Sequence, residues 1–195
     1  MYISETTIKE IEEKYGSPEV VHLAYEMKQH EFEFLKSTMK DERAHDITLF
    51  IIKEGKVVVI SKHSYPPGAY RAPSGGLRQG EPFEEGAIRE AYEETGLNVQ
   101  LQRYVLRAHV KFSHREEYVN WTTHVFTAVP VSGTLEPIDK REIAQVRLAT
   151  DQELNNSIKQ VLLSSGSTGL RYRSELNDLV MPKIRAELGA VSSDA

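Results

Sequence analysis

The sequence predicts an α/β protein in which helices cover a mixed β-sheet. Short runs rich in β-branched and aromatic residues, the composition typical of strands, recur between residues 47 and 149. A helical stretch with small residues on one face, residues 82–95, divides these runs, and further helical patterns stand near both ends of the chain. Strands around one central helix, with flanking helices, favour an α/β sandwich with a mixed sheet.

The first forty or so residues are predicted to be helical. Thr7 followed by Glu10 fits a capping box, and Gly16 suits the end of that helix. Ser17-Pro18 suits the start of a second helix, since proline at the first helical position loses no hydrogen bond. The segment HEFEFLK, residues 30–36, alternates between polar and apolar side chains, so a strand is an alternative there.

From Ile47 the pattern changes to strands. ITLFII and KVVVIS flank Glu54-Gly55, which predicts a β-hairpin. After the loop SYPPGAYRAPSGG, strands are predicted in VLRAHVKF, VNWTTHVFTAVPV and QVRLA, and helices close the chain. The expected division is an N-terminal helical extension (1–44), a strand-rich domain (45–155) and a C-terminal helical extension of the same domain (156–195).

Charge and composition exclude several classes of protein. The formal net charge is −5, from 24 basic and 29 acidic residues, which argues against a general binder of nucleic acid or membrane surfaces. There is no cysteine, so disulfides, thiolate metal sites and cysteine nucleophiles are ruled out. The opening segment MYISETTIKEIEEKYG lacks the apolar core of a signal peptide, and a cytoplasmic protein is expected.

Residues 75–97, GGLRQGEPFEEGAIREAYEETGL, carry six glutamates against two arginines. Glu90, Glu93 and Glu94 stand at i, i+3 and i+4 of the predicted helix, where like charges repel by roughly a few tenths of a kcal/mol per pair. One interpretation is a solvated acidic helix face. The other is a site for Mg²⁺ or Mn²⁺, which prefer oxygen ligands, with Glu81 and Gly75 of the preceding loop counted in the metal set.

The spacing favours the second interpretation. Gly75, five residues, Glu81, seven residues and then REAYEETGL match the complete box of the Nudix hydrolases. The order of strand, loop, box and hairpin along residues 45 to about 155 also resembles that family's domain. The resemblance implies a Nudix α/β/α sandwich with a mixed sheet. It also implies divalent-metal-dependent hydrolysis of the diphosphate linkage in an ADP-ribose-like compound or a nucleoside triphosphate, by metal-activated water.

The resemblance also assigns roles within the box. Glu90, Glu93 and Glu94 match the glutamates that bind the metals in the family, with Mg²⁺ or Mn²⁺ as the cofactor. Arg89 and Glu81 match residues that hold the loop and helix in shape, and a weaker ligand role for Glu81 is an alternative. A general base is expected in a box glutamate or in a downstream loop, where Glu142 ranks first and Glu136 second. The predicted catalytic set is Glu93, Glu94, Glu142 and Arg89.

Contacts to the rest of the substrate are less sharply indicated. Arg71 suits either a phosphate contact or a cap on the loop, and the sequence leaves both open. Tyr118 and Trp121 are candidates for stacking on a base, although strand aromatics commonly belong to the core. Residues 112–115, Phe-Ser-His-Arg, carry neither of the downstream proline or tyrosine markers of Nudix subfamilies, so the substrate stays open within the nucleotide class.

The same residues bear on two alternatives, a non-catalytic module and a different enzyme of the same fold. A non-catalytic, nucleotide-sensing Nudix-like module would usually lack box glutamates, and all are present here. Isopentenyl diphosphate isomerases of this fold rely on a cysteine, which the chain does not have. The expected partner is a small-molecule nucleotide, with nucleic acid and membrane not favoured. The amphipathic N-terminal segment suits either packing on its own domain or a homodimer interface.

Overall fold

The computed structural model describes residues 3–39 and 42–190 of the chain. Within these residues the elements follow in the order helix, strand, helix, three strands, helix, three strands and three helices. Their bounds are α1 Glu5–Tyr15, β1 Glu19–Glu26, α2 Gln29–Thr38, β2 His45–Lys53, β3 Lys56–Lys62, β4 Ser74–Gly75, α3 Phe83–Thr95, β5 Leu97–His114, β6 Glu117–Gly133, β7 Ile143–Ala149, α4 Asp151–Asn155, α5 Ser157–Ser164 and α6 Thr168–Ala190.

The strands form a mixed sheet in the order β1-β5-β6-β2-β3-β7, with the short β4 on β2. The pairs β1–β5 and β2–β6 are parallel, and the other pairs are antiparallel. β2 and β3 pair only beside their turn, through Ile52–Val57 and Lys53–Lys56, so β3 and β7 diverge from the rest. Both turn residues, Glu54 and Gly55, have positive φ angles, as a tight hairpin turn requires, and the predicted hairpin is confirmed.

Two apolar cores lie on opposite faces of β2, which is why this strand is buried at all of its positions except Lys53. Ile47, Leu49 and Ile51 face a core that includes Ala87 and Ala91 of α3. These two alanines are almost fully buried and let the helix axis approach the sheet closely. The alternate β2 residues face the second core, which α2, α5 and α6 cover. The arrangement confirms the predicted sandwich with a mixed sheet.

The predicted helix after Ser17-Pro18 is wrong. Residues 19–26 form β1, which pairs in parallel with residues 106–113 of β5. The reason is tertiary: β5 is long, and its free edge accepts the EVVHLAYE segment, whose Tyr25 is buried on the sheet. The strand considered for HEFEFLK is also wrong, because this segment lies in α2. Ser4, rather than Thr7, caps α1, while the predicted end at Gly16 is confirmed.

Both N-terminal helices contact their own domain. Ile11 of α1 joins the core under α3, and Phe32 of α2 joins the opposite core. This is the packing that the sequence left as the alternative to a dimer interface. Among the described residues, no helix is both long and apolar enough to cross a membrane.

Candidate active site

A cavity of about 900 Å³ lies beside the loop of residues 74–79, which precedes α3, and beside one face of α3. It lies within the range of about 300–1,000 Å³ that is usual for small-molecule sites. Its walls come from the 74–79 loop, α3, α2, the start of α6, and strands β2, β5 and β6. Four acidic side chains singled out from the sequence line it together: Glu90, Glu93, Glu94 and Glu142.

Arg89 explains how the box tolerates so many carboxylates. Its guanidinium makes two hydrogen bonds to Glu81, at 2.7 and 2.8 Å, and donates to Glu90 at 2.7 Å and Glu93 at 3.1 Å. It also reaches the Gly76 carbonyl oxygen at 3.2 Å, which ties α3 to the loop. The hydrogen bonds from Arg89 hold the pKa of Glu81 below its ordinary value. The carboxylates of Glu81, Glu90 and Glu93, which repel one another, therefore share the positive charge of the Arg89 guanidinium.

Glu81 stands apart from the other box acids. Both of its oxygens are engaged by Arg89, and one also accepts the backbone N–H of Arg78 at 2.9 Å. Its side chain is not part of the cavity wall. This geometry is that of a residue that holds the loop against the helix.

Glu90 fits its place because residue 75 has no side chain. A Cβ atom on Gly75 would lie 1.9 Å from Oε2 of Glu90, closer than any packing allows. Burial raises the pKa of Glu90, Arg89 opposes this effect, and the neighbouring Glu94 and Glu93 add to it. The glycine of the box therefore creates space for a carboxylate in a crowded acidic cluster.

Glu94 is the most deeply buried acid of the box, 5 % exposed. It accepts a hydrogen bond from the guanidinium of Arg71 at 3.2 Å and from the backbone N–H of Ser74 at 2.7 Å. Arg71 is 3 % exposed and also donates hydrogen bonds to the Tyr65 hydroxyl, the Ala72 carbonyl and the Ser74 hydroxyl. Of the two roles that the sequence left open for Arg71, these contacts support the cap on the loop.

Glu142 lies on the approach to β7 and lines the cavity, where it forms an ion pair with Lys62. Glu136, the second candidate for the general base, is exposed, pairs with Lys140 and does not line the cavity. The structure therefore brings Glu142 together with the box acids and leaves Glu136 outside.

The two aromatic candidates are separated by the structure. Trp121 lines the cavity, is 8 % exposed and donates its indole N–H to Asp46 at 2.9 Å. Tyr118 lies outside the cavity wall, near the tip of the β5–β6 hairpin, with the Lys111 ammonium 4.5 Å from its ring centre. The two residues are three positions apart in β6, so their side chains lie on opposite faces of the strand, and Trp121 alone faces the cavity.

The donor set suits a hard divalent cation. Glu90, Glu93 and Glu94 supply only carboxylate oxygens and line one cavity, and Gly75 leaves room for the Glu90 carboxylate. In the described part of the chain, no three acidic or histidine side chains already converge as a metal site. Arg89 binds Glu90 and Glu93, and Arg71 binds Glu94. Uptake of a cation would thus exchange some arginine contacts for metal contacts.

Sequence reasoning missed Arg43, Asp46 and Arg173, all of which line the cavity. The Asp46 carboxylate accepts a hydrogen bond from Arg173 at 2.8 Å and so ties β2 to α6. No local motif marks these three residues. Arg173 joins the other two only because α6 folds back onto the sheet.

The profile of the NUDIX domain matches residues 42–162, the part of the chain that carries the loop, α3 and most of the sheet. The chain belongs to the NUDIX domain family. As a Nudix hydrolase it has the fold and the enzyme class that the box implies.

Two curated relatives are similar over parts of this Nudix hydrolase. An oxidized purine nucleoside triphosphate hydrolase of Mus musculus is 27% identical over 114 residues, which are 58% of this chain and 70% of that protein. An RNA pyrophosphohydrolase of Cereibacter sphaeroides is 33% identical over 60 residues, 31% of this chain and 37% of that protein. A crystal structure of a UDP-X diphosphatase superposes with a TM-score of 0.53 and 18% identity, covering 80% of this chain and 72% of that one. The similarity to the diphosphatase structure shows that the two proteins share a fold.

Proposed function

We propose that this Nudix hydrolase cleaves the diphosphate linkage of a nucleoside diphosphate derivative or a nucleoside triphosphate, with Mg²⁺ or Mn²⁺ held by Glu90, Glu93 and Glu94. One observation carries the proposal: these three carboxylates line the same cavity as a further carboxylate, Glu142, and several basic side chains. A diphosphate needs positive charge around it and a carboxylate near the attacking water, and this cavity offers both. The chain's similarity to a nucleoside triphosphate hydrolase and to an RNA pyrophosphohydrolase supports this reaction type.

A divalent cation held by Glu90, Glu93 and Glu94 would supply positive charge to the phosphate oxygens and lower the pKa of water bound to it. The chain's own residues do the remaining work. Arg89 and Glu81 keep α3 and the loop in register, and Arg71 fixes the Glu94 carboxylate through a buried ion pair. A box carboxylate can itself take the proton, but Glu142 is the base that the cavity geometry favours.

In the reaction we assign to Glu142, its carboxylate accepts a proton from the attacking water as the new P–O bond forms. The anhydride P–O bond breaks, and the leaving phosphate departs with the electron pair. Lys62, paired with Glu142, keeps that carboxylate at the cavity wall and adds positive charge near the phosphates. The exposed Glu136 has no access to this position.

A hydrolysis screen tests the proposal. Purified protein is offered ADP-ribose, NADH, FAD, diadenosine polyphosphates, nucleotide sugars and each nucleoside triphosphate, with Mg²⁺, with Mn²⁺ and with a chelator. The expected result is cleavage of one class of compound that stops when the chelator is added. Metal binding and nucleotide binding without turnover of any compound would refute the proposal and favour the sensing module.

A further inference from the structure

Arg43 occupies an unusual position at the wall of the cavity. Its guanidinium lies directly against Gly76 of the 74–79 loop, called the box loop below. A Cβ atom added to Gly76 would come within 2.3 Å of Nη1 and 2.6 Å of Nε. Nη2 donates to the Thr38 carbonyl oxygen at 3.1 Å, at the end of α2. The Nε–H is buried and has no hydrogen-bond partner among the residues that the structure describes. An unsatisfied buried donor on a charged group is destabilising, so its presence needs a reason.

Arg43 also differs from the other lysines and arginines of the cavity wall. Each of the others forms an ion pair with a carboxylate: Lys62 with Glu142, Arg71 with Glu94, Arg78 with Glu93, Arg89 with three box acids, and Arg173 with Asp46. In residues 3–39 and 42–190, no carboxylate lies within ion-pair distance of Arg43. Its positive charge is therefore available to an anion that enters the cavity beside the box loop.

Beyond Arg43 the cavity wall becomes aromatic. Trp121, Phe112 and Tyr172 line it from the sheet and from α6, and Phe34 and Leu35 line it from α2. Phe34 is 71 % exposed, which is unusual for a phenylalanine on a helix that otherwise packs against the core. Aromatic walls with a polar group at one end are typical of sites for flat, amphipathic ligands such as nucleobases.

Two sides of this aromatic part of the cavity come from segments outside the NUDIX match at residues 42–162, whereas Phe112 and Trp121 lie within the match. α2 precedes the match and α6 follows it. α6 is held in place by the Arg173–Asp46 ion pair and by the Tyr172 hydroxyl, which donates to Thr123 at 2.7 Å. The N-terminal and C-terminal segments thus complete the site rather than only covering the core.

We propose that Arg43 binds the phosphate next to the nucleoside, and that the nucleobase lies between α2 and α6 among Phe34, Trp121 and Tyr172. The inference rests on the proposed function and deepens it, since it makes the nucleoside side of the substrate the part that is recognised. The box then acts on the neighbouring anhydride. Substrates should accordingly share a nucleoside and differ in the leaving group.

The chain contains one tryptophan, Trp121, and it lines the proposed base pocket. Its fluorescence therefore reports occupancy directly. The probes are AMP, GMP, CMP and UMP, with Mg²⁺, which carry a base and the adjoining phosphate but no anhydride to cleave. Inorganic phosphate and the free nucleosides serve as partial ligands. At least one monophosphate is expected to quench the fluorescence saturably, whereas inorganic phosphate is not.

Two variants separate the contribution of the phosphate contact from that of the base contact. Arg43→Ala is expected to raise the Kd of the best monophosphate by at least about tenfold and to leave the Kd of its nucleoside unchanged. Phe34→Ala is expected to weaken the monophosphate and the nucleoside alike, by about five- to tenfold. Arg185→Ala and Leu163→Ala, at exposed positions outside the cavity, are the matched controls and should bind as the wild type does.

A purely structural role for Arg43 predicts a different result. If the guanidinium only held α2 to the 74–79 loop, Arg43→Ala would lower the melting temperature and change the Kd values of the monophosphate and of the nucleoside equally. The proposal expects an unchanged or higher melting temperature, and in the hydrolysis assay a raised KM.

The outcomes distinguish this inference from the proposed function. No turnover on any compound refutes the proposed function. Turnover with an unchanged KM in Arg43→Ala, or no fluorescence response to any monophosphate, overturns the inference alone.

Discussion

The buried ion pair between Arg71 and Glu94 gives the sharpest stability prediction. Arg71→Met keeps the length and much of the volume of the side chain but removes four hydrogen bonds, to Tyr65, Ala72, Ser74 and Glu94. The Glu94 carboxylate would stay buried with only the Ser74 backbone N–H as a donor. Removing one partner of a buried ion pair costs about 3–5 kcal/mol in the free energy of unfolding.

For a chain of this size, 1 kcal/mol corresponds to about 2–4 °C, so the melting temperature of Arg71→Met should fall by about 6–20 °C. Differential scanning calorimetry measures the change. The matched control is Arg103→Met, because Arg103 pairs with Glu187 at the surface and its loss should cost less than about 1 kcal/mol. The double variant Arg71→Met with Glu94→Leu should recover much of the lost stability, since it removes the unpaired charge.

The reasoning would be refuted if Arg71→Met melted within the range of Arg103→Met. It would also be refuted if adding Glu94→Leu lowered the melting temperature further. In either case the Arg71–Glu94 contact would not be what stabilises the loop before the box.

Three further predictions concern the site and its surroundings. Gly75→Ala should push the Glu90 carboxylate aside and lower kcat by about a hundredfold, as steady-state kinetics would show, and wild-type activity would contradict the geometry. Glu142→Gln should lower kcat by about 10²–10⁴-fold with little change in KM, whereas an unchanged kcat would move the base to a box glutamate. Burial lowers the pKa of His124 to about 3, while an unfolded histidine titrates near 6.5. The unfolded state therefore binds the extra proton as the pH falls below 6.5, and the free energy of unfolding should drop by about 3 kcal/mol between pH 7 and pH 4. Urea unfolding at both pH values should show a smaller drop for His124→Gln, and an equal drop in both proteins would contradict this origin.

The parts of the fold that depend on local patterns could be predicted from the sequence. Gly96 ends α3 in the left-handed conformation, as its position after the helix indicated. The β2–β3 hairpin follows from two residues that tolerate positive φ between β-branched runs. The box was recognisable because its chemistry needs fixed spacing within a single loop and helix.

The parts that depend on distant contacts could not be predicted in the same way. Residues 19–26 have only a weak local preference between helix and strand. They form a strand because they pair with the free edge of β5, more than eighty positions away in the sequence. Arg43 carries no motif, and its contact with Gly76 exists only when α2, β2 and the box loop are assembled. Tyr118 and Trp121 are close in sequence, yet only Trp121 reaches the cavity.

The most direct test of the account is the metal dependence of turnover in Glu93→Gln. Glu93 is the most exposed of the three proposed ligands and is not part of the buried Arg71 ion pair, so its replacement by the isosteric amide should leave the fold intact. Glu136→Gln, an exposed acid outside the cavity, is the control. The account predicts a loss of turnover, or a much higher Mg²⁺ requirement, in Glu93→Gln alone. Equal activity and equal Mg²⁺ dependence in both variants and the wild type would contradict it.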